Sequence, residues 1–203
     1  ARRSASAGPK SSTAQIALSY AQQAAFDLEG ARASLEKAVQ LEPTDALAWA
    51  RLAEIRSSLG RLDGALEAAR KATELAPNLA RTQSVLGYAH LTQVRTGEAK
   101  TAFAKAIQLD PSDPLPRLGL GLARSREGAL AGGSQEIEVG VSLGPGQSLL
   151  RSYLGKAYFE AKREDLVGRD DRGDAFLALV ALLALEQPAL GSEDLPEVAL
   201  DEE

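Results

Sequence analysis

From Asp45 to Pro77 the stretch DALAWARLAEIRSSLGRLDGALEAARKATELAP spaces its apolar residues three and four apart, which lays them along one face of a helix. The pattern predicts two amphipathic helices joined at Gly60. Gly60 suits the left-handed residue that ends the first helix. The second is expected to end near Leu75, because Pro77 cannot continue it and holds Ala76 extended. In "PTD" (Pro43 to Asp45) and "PSD" (Pro111 to Asp113) an Asp then stands where it can cap the next helix.

This unit recurs. Pro43, Pro77, Pro111 and Pro145 lie 34 residues apart, and Leu18, Leu52, Leu86, Leu120 and Leu154 keep the same spacing. Each leucine is followed by a small residue: Ser19, Ala53, Gly87, Gly121 and Gly155. Further small residues return at Ala31, Ala65, Ala99 and Gly133, and at Ala38, Ala72, Ala106 and Gly140. Small side chains at fixed points allow two helices to approach closely.

A 34-residue helix-turn-helix unit with W-x2-L-G-x2-Y, then A-x3-F, then P is the tetratricopeptide signature, and the chain resembles that family. Repeat two carries Trp49, Leu52, Ala53, Ala65, Ala72 and Pro77; repeat three carries Leu86, Gly87, Ala99, Phe103, Ala106 and Pro111; repeat five opens with Leu154, Gly155 and Tyr158. Repeat one has Leu35 where an aromatic is usual, and repeat four has Gly133 and Gly140 where the family prefers Ala. Each of those glycines costs roughly 1 kcal/mol against Ala inside a helix. With Gly128 and Gly132 nearby, the second helix of repeat four is expected to be the least stable inside the array.

The resemblance implies an all-α tetratricopeptide-repeat solenoid of stacked antiparallel helix pairs, wound into a right-handed superhelix. The expected organisation is a flexible segment over 1–11 and an array over 12–162. Its repeats fall at about 12–45, 46–79, 80–113 and 114–147, with the first helix of a fifth from 148. A divergent loop and apolar terminal helix follow over 163–187, then an acidic tail over 188–203. The period asks for Pro at 179, where the chain has Leu179, and Ala175 to Leu185 is apolar almost all round. A terminal repeat needs a polar outer face. A further repeat, a second copy of the chain, a fold-back onto the preceding helix pair, or a tail out of frame with its relatives would each account for this. Residues 174–187 are therefore a candidate surface for a homo-oligomer.

In the family, first helices line a concave groove that takes an extended peptide or a partner helix. Carried over repeat by repeat, the groove positions are Thr13, Ile16, Tyr20 and Gln23; Leu47, Ala50, Glu54 and Ser57; Arg81, Ser84, Tyr88 and Leu91. Later repeats add Leu115, Leu118, Leu122, Ser125 and Arg126, then Ser152, Lys156, Phe159 and Glu160. The Lys and Asn clamp by which chaperone-binding members hold a terminal carboxylate is absent. One recurring position reads Tyr20, Glu54, Tyr88, Leu122 and Lys156, which suits an apolar or amphipathic segment. The expected partner-binding set is Tyr20, Gln23, Glu54, Arg81, Tyr88, Leu122, Arg126, Lys156 and Phe159. Tyr20 and Tyr88 have the character of hot-spot anchors, or else pack on neighbouring first helices. The resemblance implies a protein-interaction scaffold or adaptor, with a self-assembly module or an accessory region of a larger protein as alternatives.

Composition narrows the chemistry. Against 28 Asp and Glu stand 23 Lys and Arg, a net charge of −5, so there is no overall positive field for a nucleic-acid backbone. Residues 186–203 hold seven acids and no base, while Arg2, Arg3 and Lys10 are the charges of the first ten residues. Absence of Cys removes thiolate nucleophiles, thiolate metal sites and disulfides; the single His90 forms no His cluster, and no metal or cofactor is expected. "SLEK" at Ser34 to Lys37 matches an S-x-x-K element but falls mid-helix, and Gly97 is expected in an inter-helix turn. "GLGLAR" from Gly119 is half a dinucleotide fingerprint without a preceding strand. No catalytic residue is expected. The run from Ala175 to Leu185 is shorter than the roughly 18 to 20 apolar residues of a spanning helix, so the chain reads as soluble, cytoplasmic or exported. It starts at Ala1 and lacks Met, as a processed product or an excerpt would. "DPLPRLGLGLA" and "LLRSYLGKAYFEAKR" are similar to repeat arrays of bacterial proteins, some surface-associated.

Overall fold

A computed structural model describes residues 11–164, and all regular structure among them is helical. The helices are α1 (Ser12–Ala24), α2 (Leu28–Leu41), α3 (Ala46–Ser58), α4 (Leu62–Leu75), α5 (Ala80–Thr92), α6 (Thr96–Leu109), α7 (Pro114–Arg126), α8 (Leu130–Leu143) and α9 (Ser148–Glu164). The last runs two residues into the span expected to begin the divergent loop. The expected apolar helix and acidic tail, like the residues before Ser11, lie outside the described residues.

Local chemistry sets the boundaries. Asp45 Oδ1 accepts from the amides of Leu47 at 2.9 Å and Ala48 at 3.1 Å, and Asp113 Oδ1 accepts from Leu115 at 3.0 Å, as the two P-x-D turns predict. Asp27 caps α2 and Ser11 caps α1 in the same way. Side chains one turn into the first helices then hold the register prolines. Trp49 Nε1 donates to the Pro43 carbonyl at 2.9 Å and Gln83 Nε2 to that of Pro77 at 2.8 Å, while Arg151 reaches the Pro145 carbonyl. Trp49 also packs against the core, so the signature aromatic is both a filler and a donor.

Each turn between paired helices contains one left-handed residue, again 34 apart: Phe26 (φ 58°), Gly60 (φ 70°), Val94 (φ 62°) and Gly128 (φ 90°). Gly60 meets its expectation. At Phe26 and Val94 a bulky side chain occupies a conformation that costs an L-residue ~1–2 kcal/mol, and both side chains are exposed. Gly97 corrects the expectation that placed it in such a turn. The turn ends at Arg95, and Gly97 is the second residue of α6.

Pairs stack through their small residues. Ala31, Ala65, Ala99, Ala38, Ala72 and Ala106 are all fully buried. Among the described residues, first helices α1, α3, α5 and α7 each touch the next first helix, and no second helix meets the following second helix to a comparable extent. Contact along one side only bends the stack, with the first helices on its inner face.

In repeat four the glycines are points of close approach. A Cβ on Gly121 would stand 2.6 Å from Ile137 Cγ1 and 2.7 Å from the Gly133 carbonyl oxygen. On Gly133 it would lie 2.1 Å from Ser125 Oγ and 2.8 Å from the Gly121 oxygen. The two backbones touch, and only glycine permits it. Helix α8 runs unbroken over all fourteen residues.

Candidate functional site

The inner face of the first three repeats is organised by a buried cation. Arg51 lies on α3 with its side chain 8% exposed; Nη1 pairs with Glu54 Oε2 at 2.9 Å, Nη2 donates to Gln23 Oε1, and the guanidinium sits 4.0 Å from the Tyr20 ring centroid. A buried guanidinium requires such partners, since an uncompensated charge there costs several kcal/mol. Stacking on an aromatic ring adds about 0.5–2 kcal/mol. Glu54 extends the chain, its Oε1 accepting from Arg81 Nη2 on α5 at 2.7 Å. The Glu54 carboxylate raises the pKa of Arg81 against the effect of burial, with Tyr20 and Asp113 adding to it. Four of the expected groove residues, Tyr20, Gln23, Glu54 and Arg81, are thus drawn together across α1, α3 and α5.

Arg51 itself was not among the groove positions expected from the sequence. Its place in the 34-residue period is shared by Ala17, Val85, Gly119 and Tyr153, so one cation among small and apolar residues was a readable signal.

Tyr88 is placed otherwise. Its hydroxyl donates to the Leu115 carbonyl at 2.7 Å, and its ring meets Phe103 edge-on with centroids 4.8 Å apart. Leu122 packs beside it against Leu91, Phe103, Leu120 and Ala123. Tyr88 and Leu122 therefore support the inner wall, while Tyr20 presents nearly half its surface to solvent. Further along, burial depresses the pKa of Arg126, and Lys156 pairs with Glu160 at 3.7 Å on α9. Phe159 is 61% exposed and Tyr158, its neighbour, 50%. Asp113, capping α7 at the rim, has its carboxyl pKa raised by burial, partly offset by the Leu115 amide.

Positions weighed for chemistry have packing roles. Ser34 Oγ donates to Gln22 Oε1 at 2.7 Å in the middle of α2, and Gly119 lies within α7 with Phe103 against it. Among the described residues no helix is long and apolar enough to cross a membrane.

The tetratricopeptide-repeat pattern matches residues 22–87 and again residues 80–113. Several solved structures share the architecture at low identity. A thermophilic tetratricopeptide protein of Thermus thermophilus is 19% identical with a TM-score of 0.68, covering 86% of this chain and 99% of its own. PilF of Pseudomonas aeruginosa is 22% identical with a TM-score of 0.65, covering 85% and 82%. MamA of Desulfovibrio magneticus is 18% identical with a TM-score of 0.59, covering 86% and 93%. Comparison with curated proteins finds no match.

Proposed function

Because this chain is an array of tetratricopeptide repeats, we propose that it is an interaction scaffold whose inner face takes a peptide or helical segment of a partner protein. The observation that carries this reading is the Tyr20, Arg51, Glu54 and Arg81 chain, which fixes charged groups beside a half-exposed aromatic ring on a face lined by first helices. Leu47, on the exposed side of α3, adds apolar surface. Such a face suits an amphipathic segment whose apolar side chains meet Tyr20 and Leu47 and whose polar groups meet the rim of Arg81 and Glu54. The scaffold has no chemistry of its own in this reading.

The test is capture of the partner from a lysate on immobilised chain, comparing wild type with Tyr20→Ala and Arg81→Ala while circular dichroism stays native. Loss of the same protein with both variants supports the groove; unchanged capture removes these residues from the site. A second reading, self-association, is favoured by the exposure of Tyr158 and Phe159 on α9. Light scattering that shows a monomer at high concentration counts against it.

A further inference from the structure

One position of the first helices makes polar contacts with second helices in most repeats. It is occupied in turn by Gln22, Arg56, His90, Arg124 and Tyr158, 34 residues apart. Gln22 Oε1 accepts from Ser34 Oγ at 2.7 Å. Arg56 donates to the Gly64 carbonyl at 3.0 Å and pairs with Glu36 at 3.5 Å; Arg124 pairs with Glu136 at 3.0 Å and reaches the Gly132 carbonyl at 3.5 Å. Tyr158 donates to Glu138 at 2.8 Å.

His90 breaks this sequence. It is 8% exposed, and its buried Nδ1 has no hydrogen-bond partner among the described residues. For Arg56 and Tyr158 the acid stands twenty residues earlier, on the second helix of the preceding repeat. The residue twenty before His90 is Arg70, on α4. Where the junctions before Arg56 and Tyr158 hold an acid, this one holds a cation at the same register, and that cation opposes a charge on the imidazole.

We propose that the junction between repeats two and three is acid-sensitive: protonation of His90 puts a positive charge into a buried slot where its Nδ1 has no partner among the described residues, and loosens the packing of α4 against α5. The charges acting on the ring are Arg70, Arg95 just before α6, and Glu98 within α6. The two arginines oppose protonation and the one acid favours it. Burial is the largest influence and depresses the imidazole pKa below 6.5, with Arg70 next. Neither α3 nor α7, the other helices packed on α5, adds a charge that shifts it. Since the unfolded chain binds the proton more readily, stability is complete above about 6.5 and falls as pH drops through that value toward the folded pKa. The device belongs to the stack and holds whatever the groove binds.

His90 is the single histidine of the chain, so proton NMR reads its titration without assignment work. In the full chain the ring should titrate below its ordinary value, and Arg70→Glu, which recreates the acid found before Arg56 and Tyr158, should raise it. Urea unfolding midpoints at pH 7.5 and 5.5 should differ more in wild type than in His90→Gln, which cannot charge. A wild-type ring titrating at or above its ordinary value overturns the proposal. So does an Arg70→Glu variant that leaves the titration unmoved, or a folded His90→Gln variant that keeps the whole wild-type pH difference. If His90→Gln does not fold, the wild-type and Arg70→Glu titrations decide alone.

Discussion

Repeats three and four meet the same requirement, two helices pressed together at a small residue, by opposite means. In repeat three Phe103 is fully buried, and a Cβ placed on Gly87 or Gly119 would stand 2.6 Å or 2.3 Å from its ring. Two glycines make room for one aromatic. Within repeat four, Gly121 and Gly133 let the backbones of α7 and α8 touch directly, with no ring between them. The turns differ in the same direction: repeat three turns on Val94 and repeat four on Gly128. A glycine in this array is thus a hole for a ring in one repeat and a point of contact in the next, although the spacing is identical.

The largest expected break is Phe103→Ala, which leaves a cavity between α5, α6 and α7 and should cost about 3–5 kcal/mol in urea unfolding. Gly121→Ala should cost about 1–3 kcal/mol, because its Cβ meets a backbone oxygen that cannot rotate aside. Gly119→Ala belongs to the same range when introduced alone. The pair sharpens the contrast: Phe103→Leu should recover most of the loss at Gly119, and no side-chain truncation should recover Gly121. Val94→Gly releases the left-handed strain and should stabilise by about 1 kcal/mol, raising the thermal midpoint. The smallest change sits in repeat four. At Gly132 the nearest atom to an added Cβ is Arg124 Cδ at 3.8 Å, so Gly132→Ala should gain up to about 1 kcal/mol from helix propensity alone. Equal gains from Gly132→Ala and Gly133→Ala would contradict the contact drawn between α7 and α8.

Much of this was open to reading from the chain. Asp45, Asp113 and Gly60 act over two or three residues, and their local chemistry is the same in any stack. Of the expected groove set, Tyr20, Glu54 and Arg81 are joined in one chain through Arg51, and Gln23 lies beneath them as a buried acceptor. Tyr88 shares a period position with Glu54, yet is tied to Leu115 and Phe103, because its surroundings depend on what the next repeat brings near.

The sequence by itself determined the repeat and most of the helix boundaries, since caps, turn residues and a three-to-four spacing act within one unit. Only the tertiary structure decided which small residue opens for a ring and which meets backbone, why Arg51 anchors Tyr20 and Glu54, and that His90 is buried with its Nδ1 unpartnered among the described residues. Those outcomes rest on distances between helices, which a 34-residue period does not fix.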